Sequence, residues 1–301
     1  LPVSNPPPSS QTSVLDESEE LYCYNHPKTA TRLRCTRCDR PICGRCAIPA
    51  SVGQHCPNCV AEARKSAPRV RSVNVSGSPA TYVFLAVNVI VFVFQLATQN
   101  PNGTDEVLLR GILSPLEIAQ GEWYRLITPM FLHLNTIHIA VNSMSLYFVG
   151  PNVEQAFGTR RFVLIYLVAG FIGNVASYAL GSCLTPSAGA SGAIFGILGA
   201  LAVYTYRRRT NAMMNAFFRN ILFWIGLNVV ITLTVPQINI WAHFGGLAGG
   251  AVLAAGYDAG GRLKAPAMEI AMTLAVVGAG ILLTVVRTSA LLNGACQPPG
   301  F

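Results

Sequence analysis

From about residue 80 onward the chain is a series of long apolar runs, each ended by a charged or Gly/Pro-containing break. A helix needs about twenty apolar residues to cross the hydrocarbon of a bilayer. Seven runs qualify, near 80–98, 126–149, 161–181, 189–206, 217–235, 240–257 and 267–286. The pattern predicts an all-α polytopic membrane bundle. Before the first run the pattern is different. Residues 1–20 are rich in Pro, Ser, Asp and Glu with little to bury, and read as a disordered leader. Residues 21–60 form a small cysteine-rich head, and residues 61–78, basic and then Gly/Ser/Pro-containing, read as a tether.

Composition supports this reading, since only 11% of the 301 residues are charged and the mean hydropathy is +0.44. An ordinary soluble domain is more polar. The formal charge of +8 does not point to nucleic acid, because the arginines sit in short loops between apolar runs, where they orient helices. Arg69 and Arg71, Arg160 and Arg161, Arg207 to Arg209 with Arg219, and Arg262 with Lys264 fall on one side. The other side has Asp105, Glu106, Glu117 and Glu122, two short uncharged turns and Arg287. The positive-inside rule then predicts a multi-pass protein of the plasma membrane with its head in the cytoplasm and its C-terminus outside. Residues 1–20 lack both the basic start and the apolar run of a signal peptide.

Seven of the nine cysteines lie between Cys23 and Cys59. They form paired knuckles: Cys23-x-x-His26, Cys35-x-x-Cys38, Cys43-x-x-Cys46 and Cys56-x-x-Cys59. Two soft ligands at this spacing can turn around one tetrahedral zinc ion, so eight ligands make two structural sites. His55 stands beside the last pair as an alternative ligand. A disulfide cluster is the rival, disfavoured by the CxxC spacing and by a reducing cytoplasm.

Polar side chains at membrane depth are costly and point to function. Three of the runs carry them. Ser191 lies in Gly189-Ala190-Ser191-Gly192, His243 in Trp241-Ala242-His243-Phe244-Gly245-Gly246, and His133, His138 and Asn142 in the second run. Helix parity starts the second, fourth and sixth spans on the outer side, which sets Ser191 and His243 within about a turn of that face. If the second span begins at 126, His138 lies about 18 Å along it, so that helix is expected to project above the hydrocarbon. His243, Gly246 and Gly250 share one helix face, and Gly192 and Gly196 form a small-xxx-small step on another, which allows close packing.

These are the parts of an acyl-transfer site. His243 can take the proton of Ser191 as general base. His138 and Asn142, four residues apart on one face, can donate to an oxyanion together with the Ser191 backbone N–H. No Asp or Glu lies in the apolar core of these three spans, so a Ser/His dyad is expected rather than a triad. Phe195 can stack on the His243 ring, and His133 is expected to play a supporting role. A metalloprotease is disfavoured by the absence of HExxH, a soluble hydrolase elbow by alanine at 193 where GxSxG needs glycine, and a transporter by the absence of an inverted repeat.

Two resemblances follow. The four knuckles resemble a B-box-like, cross-braced zinc finger, which implies that Cys23, His26, Cys43 and Cys46 hold one ion and Cys35, Cys38, Cys56 and Cys59 the other. Glu122-Trp123-Tyr124-Arg125, His133 through Asn142, Glu154 with Gly158, Gly189 to Gly192 and Ala242-His243-x-x-Gly246-x-x-x-Gly250 together resemble a rhomboid intramembrane serine protease over roughly residues 79–258. This implies a six-helix catalytic bundle, with residues 259–301 adding a seventh helix and tail, a Ser191/His243 dyad and an oxyanion hole using His138 and Asn142. It also implies a partly submerged first loop in which Trp123 and Arg125 fall on the family's Trp-Arg element with Tyr124 between them, and a mobile fifth span. Phe195 stands where many relatives have tyrosine. A zinc head before such a core resembles bacterial, particularly actinobacterial, members.

The resemblance implies cleavage of transmembrane segments of other membrane proteins near the outer face; the head is expected to bind a cytoplasmic partner or substrate tail, or to help assembly. The alternative is an inactive rhomboid-like adaptor that binds transmembrane helices. Four intact polar groups, Ser191, His243, His138 and Asn142, weigh against it.

Overall fold

Short strands and few apolar side chains leave the head little to build a core with. The computed structural model describes residues 21–66, 77–235 and 238–296, in two compact units, 1–71 and 72–301. The expected leader at 1–20 and residues 67–76 of the tether lie outside the described residues. In the first unit β1 (Tyr22–Cys23) pairs antiparallel with β2 (His26–Ala30), and β3 (Ile48–Pro49) with β4 (Gln54–His55), followed by α1 (Pro57–Ser66). Apart from cysteines, Ile42 is the one large apolar side chain buried among the described residues of this unit. Helix α1 runs past the expected end of the head at residue 60, because no Gly or Pro interrupts Val60 to Ser66.

The second unit is helical. Its long helices are α2 (Pro79–Ala97), α5 (Thr136–Phe157), α6 (Thr159–Leu180), α7 (Ser191–Arg207), α8 (Ala212–Thr234), α9 (Ile240–Arg262) and α10 (Pro266–Ala290), with two short helices, α3 (Glu106–Gly111) and α4 (Pro115–Ala119), in the first loop. Asparagine starts three of them. The side chains of Asn135, Asn211 and Asn239 accept the backbone N–H groups of His138, Met214 and Ala242, which satisfies donors that a helix start otherwise leaves unpaired. The start of α2 is held from a distance. The Glu154 carboxylate, on α5, accepts the Ala80 and Thr81 N–H groups at 3.0 and 2.8 Å and also the Thr81 and Thr159 hydroxyls. An anion there suits both the orphan donors and the helix dipole. Gly158, at φ +82°, separates α5 from α6 in a conformation that favours glycine.

The boundary that differs most from the sequence expectation bears on the site. The second span begins at Thr136 rather than 126, because residues 123–126 and 128–131 form two short 3-10 turns and Pro129 lies in the second. His138 is therefore in the first turn of α5, and no projecting helix is needed to raise it to the level of the other helix starts.

Four of the described helices are long and apolar enough to cross a membrane: Pro79–Ala97, Thr159–Leu180, Ala212–Thr234 and Pro266–Gly294. Large apolar side chains such as Ile90, Phe94, Phe223, Leu274 and Leu282 are exposed along them, as lipid-facing surfaces require. The protein is a multi-pass membrane protein. Helices α5, α7 and α9 are not among these four; α5 and α9 carry buried Asn142, Glu154, His243 and Asp258, and α7 and α9 meet on glycines. Residues Gly192 to Leu201 of α7 are all buried, and α7 packs against α9 through backbone. A β-carbon on Gly250 would fall on the carbonyl oxygen of Gly196, and one on Gly246 on that of Gly192. Small residues give this close approach where lipid supplies no hydrophobic drive for helix association. Helix α10 is fastened to the bundle by Arg161–Glu269 and by the Tyr178–Thr288 and Tyr257–Thr273 hydroxyl pairs. A disulfide joins Cys183, after α6, to Cys296, after α10.

Gly250→Leu should lower stability in detergent by about 1–3 kcal/mol or more, through overpacking against α7, read as a fall in the thermal midpoint. Gly278→Ala on α10, where a β-carbon meets nothing within 4 Å, should leave the midpoint unchanged or raise it slightly.

Candidate active site and metal centres

Ser191 is the first residue of α7, and His243 lies in the first turn of α9, four residues after its Asn239 cap. Close backbone contact between these helices brings the two side chains together. His243 Nε2 lies 2.7 Å from Ser191 Oγ. The imidazole is buried and held on three sides. The Phe195 ring, one turn beyond Ser191, stacks on it with centroids 4.1 Å apart and planes 17° apart. On its far edge, Nδ1 lies 2.8 Å from the Thr232 hydroxyl of α8. Gly246 and Gly250 line the α7 contact described above and touch no reacting group.

His138 and Asn142 stand one above the other on α5. The Leu134 backbone N–H donates to His138 Nδ1 at 3.4 Å, which leaves the proton of a neutral ring on Nε2. That ring packs against Gly189, where a β-carbon would lie 2.7 Å from His138 Nε2. Gly189 also has φ +130°, in the region where side chains are strained. Asn142 is buried, and its Nδ2 donates to the His138 carbonyl oxygen at 2.9 Å. His133 is 1% exposed. Its ring meets Phe92 and His138 edge-on, with centroids 6.4 and 5.3 Å away, and neither ring nitrogen has a hydrogen-bond partner among the described residues.

Trp123 and Arg125 part company. Trp123 is half exposed, whereas Arg125 is buried. Arg125 Nε donates to Glu122 at 2.6 Å, and Nη1 donates to the carbonyl oxygens of Leu109 and Ile112 at 2.8 and 2.9 Å. These bonds brace the first loop against its own turns. The Arg125 guanidinium, and then the Tyr124 hydroxyl, hold the Glu122 carboxyl below its ordinary range.

In the head, two groups of four ligands form. Cys23, His26, Cys43 and Cys46 make one, and Cys35, Cys38, Cys56 and Cys59 the other, with all ligand atoms in each group within 4.8 Å of one another. His26 Nδ1 lies 3.8, 3.4 and 3.3 Å from the sulfurs of Cys23, Cys43 and Cys46, and the Cys38 and Cys56 sulfurs are 3.7 Å apart. Sulfurs placed tetrahedrally about an ion with bonds of about 2.3 Å are separated by about 3.8 Å. Both groups therefore fit a metal ion, and the knuckles interleave, the first with the third and the second with the fourth. His55 is in neither group. It lies in β4, opposite Ile48, and Cys56 fills the position it was expected to contest. Burial opposes ionisation of Cys23 and Cys35, but backbone N–H groups, chiefly those of Cys43 and Cys56 respectively, outweigh it and bring both thiols to about 6. Burial, with Cys38 and Cys56 alongside, pushes Cys59 up to about 12.

Two features escaped the sequence reading. Thr232 in an apolar run reads as a β-branched helix residue; its signal was the i, i+4 pair with Asn228 on a helix that otherwise faces lipid. Cys183 and Cys296 were the two cysteines left outside the head, and each falls in a break that follows a span.

Residues 120–258 match the model of the Rhomboid domain family. The chain is 35% identical over 229 residues to Rhomboid protease GluP of Bacillus subtilis (strain 168), an alignment covering 74% of this chain and 45% of GluP. It is 36% identical over 138 residues to YdcA of the same organism, also named for the rhomboid proteases, covering 46% of this chain and 69% of YdcA. RHOMBOID-like protein 1 of Arabidopsis thaliana is 33% identical over 167 residues, 54% of this chain and 42% of that protein. The chain thus spans less than half the length of GluP.

Elemental analysis of the purified chain should find two metal ions per molecule. Cys35→Ser should remove one ion and leave the Cys23/His26/Cys43/Cys46 site filled, and His55→Ala should remove none. Full occupancy in Cys35→Ser would contradict the ligand assignment.

Proposed function

The chain belongs to the rhomboid family, and from that premise we propose that it is a serine endopeptidase that cuts transmembrane segments of other membrane proteins near the outer face of the plasma membrane. The observation that carries this reading is the 2.7 Å contact between Ser191 Oγ and His243 Nε2 at the starts of two neighbouring helices. A serine hydroxyl becomes an effective nucleophile when a base takes its proton as it attacks. In this reading the Ser191 oxygen bonds to the scissile carbonyl carbon while its proton passes to His243 Nε2. The carbonyl π electrons move onto oxygen, and the oxyanion accepts hydrogen bonds from His138 Nε2–H, the Asn142 amide and the Ser191 N–H. Asn142 would turn from the His138 carbonyl to do so.

When the C–N bond breaks, His243 returns the proton to the leaving amine and an acyl-enzyme ester remains. Water, deprotonated by the same imidazole, then releases the acid and restores the serine. Such donors stabilise charge best where water is scarce, because a low dielectric strengthens each hydrogen bond. The stacked Phe195 ring keeps the imidazole edge-on to the serine without competing for its protons. A helical segment must unwind before its carbonyls can be attacked, which favours substrates with Gly or Pro near the cut.

In the head, the thiolate and imidazole donors select zinc, held as a structural ion. The positive-inside rule puts this unit in the cytoplasm. We assign it the task of binding a cytoplasmic segment of a partner or substrate.

Ser191→Ala and His243→Ala, reconstituted with a model transmembrane substrate, should each lower turnover by about 10⁴-fold or more, and Ser191→Ala should lose labelling by a fluorophosphonate. Cleavage by Ser191→Ala at the parental rate would end this mechanism. Deleting residues 1–70 should narrow the set of substrates cut while turnover of a minimal transmembrane peptide persists; an unchanged substrate set would remove the recruiting role.

A further inference from the structure

Helix α8 faces lipid along most of its length, and only Ile221 and Thr232 are buried in it. A buried hydroxyl on such a helix needs a reason. The ordinary one is local, since Ser and Thr in apolar helices donate back to the carbonyl four residues earlier. Thr232 does this, with Oγ1 2.8 Å from the Asn228 carbonyl oxygen. Thr234 makes the same kind of bond to Val230 while remaining exposed. What sets Thr232 apart is a second contact, His243 Nδ1 at 2.8 Å.

A hydroxyl has one proton to give. The Asn228 carbonyl can only accept, and an oxygen–oxygen approach of 2.8 Å without a proton between them is repulsive. The arrangement that satisfies both contacts has Thr232 donating to Asn228 and accepting from His243 Nδ1–H. The neutral imidazole then carries its proton on Nδ1, and Nε2 presents a lone pair toward Ser191 Oγ. That is the tautomer a general base requires. With the proton on Nε2 instead, the ring would donate to Ser191 and be unable to take its proton.

We propose that Thr232 is a positioning residue that fixes the tautomer and ring orientation of His243 from the neighbouring helix, the neutral counterpart of the carboxylate in a Ser-His-Asp triad. The proposal rests on the serine-protease reading for its functional meaning. No carboxylate is needed within the three site-bearing helices, because the hydroxyl supplies an acceptor without a charge to desolvate in lipid. It also ties the readiness of the base to the docking of α8. When the end of α8 moves away from α9, Nδ1 loses its acceptor and the productive tautomer loses its advantage.

The test compares Thr232→Val, which keeps the shape and removes the hydroxyl, with Thr232→Ser, which keeps the hydroxyl. The full chain is used in proteoliposomes with a model transmembrane substrate. Expected for Thr232→Val is a kcat lower by about tenfold, the scale of one hydrogen bond, with KM within about twofold and fluorophosphonate labelling of Ser191 slowed to match. Thr232→Ser should retain at least about half the parental kcat, and both variants should keep the parental thermal midpoint to within about 4 °C. An independent readout is the ¹⁵N NMR spectrum of histidine-labelled protein, with His243 assigned by its loss in His243→Asn. The parent should show Nδ1 protonated and Nε2 bare, and Thr232→Val a mixture.

Parental kcat and an unchanged tautomer in Thr232→Val would overturn the proposal, as would Thr232→Ser being as slow as Thr232→Val. A parent that cleaves nothing but shows the Nδ1–H tautomer, lost in Thr232→Val, would sustain the positioning role and sink the protease reading instead.

Discussion

The backbone of α7 lies against that of α9, glycine on carbonyl, and the rest of the membrane unit is arranged around that contact. Gly246 meets the carbonyl of Gly192 and Gly250 that of Gly196, while Gly199 meets the carbonyl of Leu247. In lipid, two apolar helices gain little from hiding apolar surface from each other, so their separation is set by how closely their atoms can pack. A side chain at any of these glycines would push the axes apart. The Ser191–His243 hydrogen bond at 2.7 Å is therefore a consequence of residues one to three turns away that take no part in it. Around α7, helices α6 and α9 close the interior, and the Phe195 ring that stacks on His243 comes from the same buried face.

Depth is set by a second, local device. Asparagine caps at Asn135 and Asn239 fix where α5 and α9 begin, and so place His138 and His243 each within the first turn. Ser191 opens α7 directly. Ser191, His138 and His243 thus lie in the first turns of their helices, with the Asn142 amide one turn further along α5. Arg125 serves the loop above them by satisfying carbonyls of Leu109 and Ile112 that no helix uses. Helix α8 is the exception to the close packing: it offers the site a single hydroxyl and gives most of its surface to lipid.

The two units solve the stability problem in different ways. The membrane unit has buried aromatic and aliphatic side chains such as Phe162, Tyr166, Ile197 and Leu201. The head has Ile42 and six of its seven cysteines. A unit of that size with so little apolar burial has little core to fold around, and its free thiols are gathered in the two four-ligand groups, whereas Cys183 and Cys296 are joined as a disulfide.

By itself the sequence carried the family, the mostly helical membrane architecture and the two paired Cys/His clusters of the head. Each of these is written locally, in run length, in CxxC spacing, or in a polar residue among apolar ones. It misplaced the start of the second span by ten residues, because the 3-10 turns around Pro129 are as apolar as a helix and hydropathy does not distinguish them. It left His55 in competition with Cys56, since neighbours in sequence both look able to reach an ion and only the β4 register separates them. The tertiary structure supplied the 2.7 Å contact between Ser191 and His243, a pairing the sequence led one to expect, and it alone decided that Thr232 stands behind the imidazole and that Cys183 reaches Cys296 across 113 residues. Such pairings depend on which faces of separate helices come into contact. That is settled by the packing of small residues among all the helices at once, and no single stretch of chain encodes it.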